Sequence, residues 1–163
     1  MRRLGLILLV FMLAPLVSFA QSPPEISYSV VPDFLKMPVN LYLGEVPGVA
    51  VDKAGDIYVY TRSGHTRLFE FAPDGKYTRE LGHDLYSFVF AHAVRIGPEG
   101  NIWAVDEASN MIVELNPDGR VLMNLGRRPE PSEKAAAPGT KPEFTPPPWM
   151  FNRETDIAWD SHG

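Results

Sequence analysis

The 163-residue chain contains no cysteine. Disulfides, thiolate zinc sites, cysteine nucleophiles and cysteine-linked lipids are therefore excluded. An exported chain without disulfides must take its stability from its core, and the absence also suits a bacterial envelope protein. An excess of positive charge is missing too. Fifteen Lys and Arg stand against twenty Asp and Glu, for a net charge of −5. Scattered negative charge of this kind is a poor match to a phosphate backbone, so no nucleic-acid partner is expected. Histidine is scarce, with four in all. No Ser-His-Asp arrangement, glycine-rich phosphate loop or dense carboxylate metal loop stands out. The apolar run Leu4–Phe19 has 16 residues, includes Pro15 and Ser18, and is short for a membrane span.

Residues 1–20 read as a secretory signal. Arg2 and Arg3 form the positive start, Leu4 to Leu13 the apolar stretch, and Ser18-Phe19-Ala20 the small-residue cleavage site before Gln21. The competing reading is an uncleaved anchor. The paired arginines also fit twin-arginine export, although the wider context favours ordinary export. Loss of Arg2 and Arg3 takes the net charge to −7. The expected location is secreted or periplasmic, with no membrane association after cleavage.

A unit then occurs twice and begins a third time. The first copy contains Gly48-Val49-Ala50-Val51-Asp52, Gly55-Asp56-Ile57-Tyr58-Val59, Leu68-Phe69-Glu70-Phe71, Pro73-Asp74-Gly75 and Leu81-Gly82. The second contains Val94-Arg95-Ile96, Gly100-Asn101-Ile102-Trp103-Ala104, Ile112-Val113-Glu114-Leu115, Pro117-Asp118-Gly119 and Leu125-Gly126. Gly55 to Gly100 spans 45 residues, and Gly75 to Gly119 spans 44. Period-two alternation with β-branched and aromatic residues predicts strands at 49–51, 57–61, 67–71 and 77–81, then 94–96, 102–105, 111–115 and 121–125. The x-Pro-Asp-Gly turns predict hairpins between the last two strands of each copy. Repeats of about this length built from short strands mark β-propeller blades.

Residues 21–43 read as an N-terminal linker plus an edge strand at Ile26–Val31. Residues 44–163 read as a partial propeller of about two blades and the start of a third, opened by Thr155-Asp156-Ile157-Ala158-Trp159-Asp160. Seven prolines between 127 and 148 predict an inter-blade surface loop rather than ladder pairing. A peptide-ligand role for those prolines is the lesser reading. The stop after the opening strand of a third copy reads as truncation of a longer frame. Were the chain complete, ring closure would require oligomerisation.

Gly48-Val49-Ala50-Val51-Asp52, Phe90-Ala91-His92-Ala93-Val94, Gly100-Asn101-Ile102-Trp103-Ala104-Val105-Asp106 and Phe151-Asn152-Arg153-Glu154-Thr155-Asp156-Ile157-Ala158 resemble NHL-repeat propellers. Within these they look most like the peptidyl-α-hydroxyglycine α-amidating lyases and their bacterial relatives, over roughly residues 44–163. The resemblance implies an all-β, six-bladed NHL-type propeller. It also implies an axial zinc on three histidines, a structural calcium held partly by backbone carbonyls, and a substrate arginine and tyrosine. By this likeness His92 matches the first zinc histidine, Val49 and Val94 match the calcium-facing carbonyls, and Arg62 matches the substrate arginine. The other two histidines and the tyrosine would fall beyond Gly163. Glu154 departs from the family, where proline is common.

Each residue also has a plainer reading. A histidine in an apolar run such as Phe88–Val94 is most often a hydrogen-bonded core residue. Arg62 suits a carboxylate ligand or an inter-blade salt bridge. His65, His83 and His162 read as turn or surface residues, Asp106 and Asp156 as backbone-satisfying carboxylates, and Trp103 and Trp159 as inter-blade core. The expected function is an exported, zinc-dependent amidating-lyase-like propeller acting on a peptide-like small substrate, incomplete and inactive as this chain alone. The alternative is a non-catalytic propeller that binds a peptide, sugar or protein partner.

Overall fold

The computed structural model describes residues 23–128 and 150–162. The expected signal and most of the proline-rich loop lie outside them, as does Gly163. The chain divides into two units, Met1–Val31 and Pro32–Gly163. In the first, residues 23–31 are exposed and carry no regular structure. The edge strand expected at Ile26–Val31 is therefore not formed. Alternation prepares a segment for pairing, but a strand exists only where a ladder partner supplies its hydrogen bonds.

The second unit contains eight strands: β1 (Gly48–Val51), β2 (Ile57–Thr61), β3 (Arg67–Phe71), β4 (Tyr77–Leu81), β5 (Ala91–Ile96), β6 (Ile102–Asp106), β7 (Met111–Leu115) and β8 (Val121–Gly126). They form two four-stranded antiparallel sheets, ordered β1-β2-β3-β4 and β5-β6-β7-β8. No helix occurs among the described residues. Each of the eight strands predicted for the two copies is present within a few residues of its expected bounds. The x-Pro-Asp-Gly turns behave as their chemistry dictates. Gly75 donates to the Ala72 carbonyl at 2.8 Å with φ +81°, and Gly119 donates to the Asn116 carbonyl at 2.9 Å with φ +87°. Only glycine adopts that backbone without strain.

Both faces of each sheet are apolar, so each needs a cover. Tyr58, Tyr60, Leu68 and Leu81 of the first sheet pack against Val94, Ile102, Ala104, Val113 and Leu115 of the second. The other face of the first sheet, with Val59, Phe69 and Phe71, is covered by Leu35, Met37, Leu41 and Leu43. These come from the segment read as linker. The other face of the second sheet, with Trp103, Val105 and Ile112, meets Phe151, Ile157 and Trp159. Trp103 and Ile112 occupy the repeat positions of Tyr58 and Leu68, while Ile157 and Trp159 occupy those of Val94 and Ile96. The packing of sheet on sheet thus recurs at the start of the third copy. That segment is not itself a strand, because residues 154–160 join no ladder. The close approach of the sheets is visible at Gly48, where an added Cβ would lie 2.8 Å from the Val94 backbone nitrogen.

Candidate functional site

The ends of β2 and β6, the start of β5 and residues 151–156 converge on one rim. Asp106 is the hub. It is fully buried. Its Oδ2 accepts from the Val89 and Phe90 backbone N–H groups, both at 2.8 Å, and from the Tyr60 hydroxyl at 3.2 Å. Its Oδ1 accepts from the Ser109 backbone N–H at 2.9 Å. Four donors explain how a buried carboxylate is tolerated. They also fix the backbone just ahead of His92. Burial and the Asp106 charge together push the Tyr60 hydroxyl well above its ordinary range.

The same backbone bond then recurs in both copies. Arg62 N–H donates to the Glu45 carbonyl, and Glu107 N–H donates to the Phe90 carbonyl, both at 3.1 Å. Side chains extend the series. Arg62 Nε reaches Glu45 Oε2 at 3.0 Å, and the guanidinium lies 4.3 Å over the Phe90 ring. Arg153 Nε reaches Glu107 Oε1 at 2.6 Å. The rim therefore alternates acid, arginine, aromatic, acid and arginine from Glu45 to Arg153.

His92 projects from β5 at this rim. Its Nδ1 lies 2.8 Å from the Thr155 carbonyl oxygen. A carbonyl only accepts, so Nδ1 carries the proton and donates. In the neutral ring this leaves Nε2 with its lone pair, 4.0 Å from Glu107 Oε2. The side chain as a whole is 34% exposed.

Glu154, next to Thr155, is the least satisfied group on the rim. Its two carboxylate oxygens are shielded from solvent and have no hydrogen-bond partner. Burial first, with the Asp106 and Glu107 charges behind it, pushes its pKa up to about 7.

The sequence-predicted residues are thus partly assembled. Arg62 reaches Phe90 and, at 3.5 Å, the Ala91 carbonyl, immediately before His92. Val49 and Val94 lie on the neighbouring strands β1 and β5. The Val94 carbonyl accepts from Arg95 Nη1 at 3.0 Å, which places a cation beside that oxygen. These two backbone groups do not amount to a calcium site by themselves. Among the described residues no cluster of three or more His, Asp or Glu is arranged to hold a metal ion. Of the residues expected to hold zinc, His92 alone lies among the described residues, with Nδ1 turned to the Thr155 carbonyl. His65 and His83 line a separate cleft with Arg67 and Glu80. Glu107, Arg153 and Glu154 join the rim without a sequence motif that marks them as site residues. Their signals were the charge reversal between Arg62 and Glu107 at one repeat position, and the acid standing before Thr155-Asp156.

No protein-family model matches the chain, and no curated protein matches it. Among solved structures, one described as a protein of unknown function from Bacteroides caccae is similar at 14% identity with a TM-score of 0.32. The match covers 51% of this chain and 47% of that one.

Proposed function

We propose that this chain carries blades of an exported, six-bladed NHL-type propeller whose rim at His92 serves amidating-lyase-like chemistry. The reaction class is C–N cleavage of a peptidyl-α-hydroxyglycine to a peptide amide and glyoxylate. The observation that carries this reading is the tautomer of His92. A ligand histidine characteristically donates its second ring N–H to a carbonyl or carboxylate, as His92 does to Thr155. Zinc, when bound, would supply Lewis-acid polarisation of the substrate hydroxyl. His92 would hold it as one ligand of several, with the remaining imidazoles contributed by other blades. Calcium would serve the axis structurally, beside Val49 and Val94. Arg62 would orient the substrate carboxylate. Its present partner Glu45 is 69% exposed, and an exposed ion pair is exchanged at little cost.

The test is the zinc content of the purified exported protein beside that of His92→Ala. The reading expects bound zinc in the parent and its loss in the variant. Full retention of zinc by the variant rules it out.

A second reading is a non-catalytic propeller with a peptide, sugar or protein ligand on this rim. The pairing of Arg62 with both Glu45 and Phe90 favours it, because those contacts already account for the guanidinium. It expects no zinc requirement, with ligand protection mapping to the rim.

A further inference from the structure

The two copies differ in charge at one pair of neighbouring repeat positions. The first sheet has Pro47 and Arg62 there, and the second has His92 and Glu107. An imidazole and a carboxylate thus stand where the first copy has an apolar ring and a cation. β5 also carries a bulge between Ala91 and Ala93, whose registered partners are Asp106 and Val105. His92 is the extra residue. A bulge re-aims a side chain out of the regular pleat, and this one turns the imidazole toward the end of β6, where Glu107 follows.

Two acceptors then face each other. His92 Nδ1 donates to the Thr155 carbonyl at 2.8 Å, so Nε2 of the neutral ring presents a lone pair. It lies 4.0 Å from Glu107 Oε2. That separation is too long for a hydrogen bond. It is short enough for one shared cation, because zinc bonds of about 2.0–2.2 Å span donors up to about 4.2 Å apart. The other oxygen of Glu107 is already engaged, accepting from Arg153 Nε at 2.6 Å. The Glu107 side chain is 11% exposed and therefore largely withdrawn from water.

The surroundings favour an added positive charge. Asp106 is held by neutral N–H and O–H donors. Glu154 has two shielded oxygens without a donor, and lies close enough to Asp106 and Glu107 for their charges to raise its pKa. Arg153 meets this group of three carboxyls through Glu107.

We infer that His92 Nε2 and Glu107 Oε2 together ligate one divalent cation of the zinc type. Imidazole and carboxylate are both ordinary zinc donors. The Thr155 carbonyl orients the ring and Arg153 orients the carboxylate, as outer partners of metal ligands do. The inference rests on the reading of His92 as a metal ligand, and not on the lyase reaction. It adds a carboxylate to a site where the likeness to amidating lyases implies histidines. The pair stands at a strand end, not on a face that another blade would cover.

The test strips the exported protein of metal with a chelator and titrates it with Zn²⁺ against a chromophoric competitor. Glu107→Gln keeps an acceptor for Arg153 but removes the ligand charge, and should weaken zinc binding about tenfold or more. Arg153→Ala frees Oε1 and should bind zinc as tightly as the parent. Thermal unfolding confirms that both variants are folded. Co²⁺ in place of zinc gives a second readout, since loss of a carboxylate ligand should alter its visible bands in Glu107→Gln. Equal zinc affinity and unchanged cobalt bands in Glu107→Gln would overturn the inference and leave His92 as a ligand. An equal loss of affinity in Arg153→Ala would also overturn it, because Glu107 would then act only by anchoring residues 151–156. Absence of zinc binding in the parent, or full binding in His92→Ala, would remove the reading of His92 and this inference with it.

Discussion

At the scale of single residues, Asp106 organises more of the rim than any other side chain on it. It holds the backbone of Val89 and Phe90, the Ser109 turn and the Tyr60 hydroxyl. Asp106→Ala strands these donors in the interior. It should cost about 2–4 kcal/mol of stability, read from the urea midpoint. Glu154 has the opposite character. Below pH 4.5 its carboxyl is protonated whether the chain is folded or not. Between 4.5 and about 7 the unfolded chain ionises while the folded chain keeps the proton. The folded state is therefore penalised progressively as pH rises through that window. The side chain is only half-buried, so solvent screening leaves an expected penalty of about 1 kcal/mol rather than the full shift. Glu154→Gln should raise the melting temperature at pH 8 and leave it unchanged at pH 4, as scanning calorimetry at both values would show. The sequence flags Asp106 as a backbone-satisfying acid because carboxylates at strand ends do that work. It says little of Glu154, whose isolation is created by folding Phe151–Asp156 onto a distant strand end.

At the scale of elements, the eight strands are legible because each copy repeats the same alternation between turns of known chemistry. The bounds of β2, β3, β4 and β7 fall where the pattern puts them. β5 starts three residues earlier than its pattern. A bulge between Ala91 and Ala93 breaks the alternation there, and His92 sits in that irregularity, outside the registered pairs. Alternation alone fails at Ile26–Val31 and at Thr155–Asp160, since neither segment joins a ladder. The sequence nevertheless marks Trp159 as inter-blade core, and it packs on the second sheet together with Ile157. The sheet-to-sheet spacing rests on Gly48. Gly48→Ala forces a methyl group onto the β5 backbone. It should cost about 1–3 kcal/mol, measured by chemical unfolding, with more loss than Gly64→Ser. Gly64 has open space around its Cβ direction, although its positive φ carries some strain.

At the scale of the whole molecule, two apolar-faced sheets are stacked, and both ends of the stack are covered by irregular chain. Leu35, Met37, Leu41 and Leu43 cover one end, and Phe151, Ile157 and Trp159 the other. Replacing Leu41 and Leu43 together by alanine should uncover Phe69 and Phe71 and lower stability by about 3–5 kcal/mol, read as a fall in the urea midpoint. The linker reading of this segment missed its cover because a short apolar spacing without a strand pattern has no distinctive signal. The proposed propeller requires these sheets to be blades of a closed ring. The direct measurement is the native mass of the exported protein, in solution and without denaturant. A closed ring would run as a particle well above 18.2 kDa, at roughly 30 kDa or more for six repeats, whether in one longer chain or in an assembly. A lone particle below 18.2 kDa, lighter by the signal segment, would contradict it.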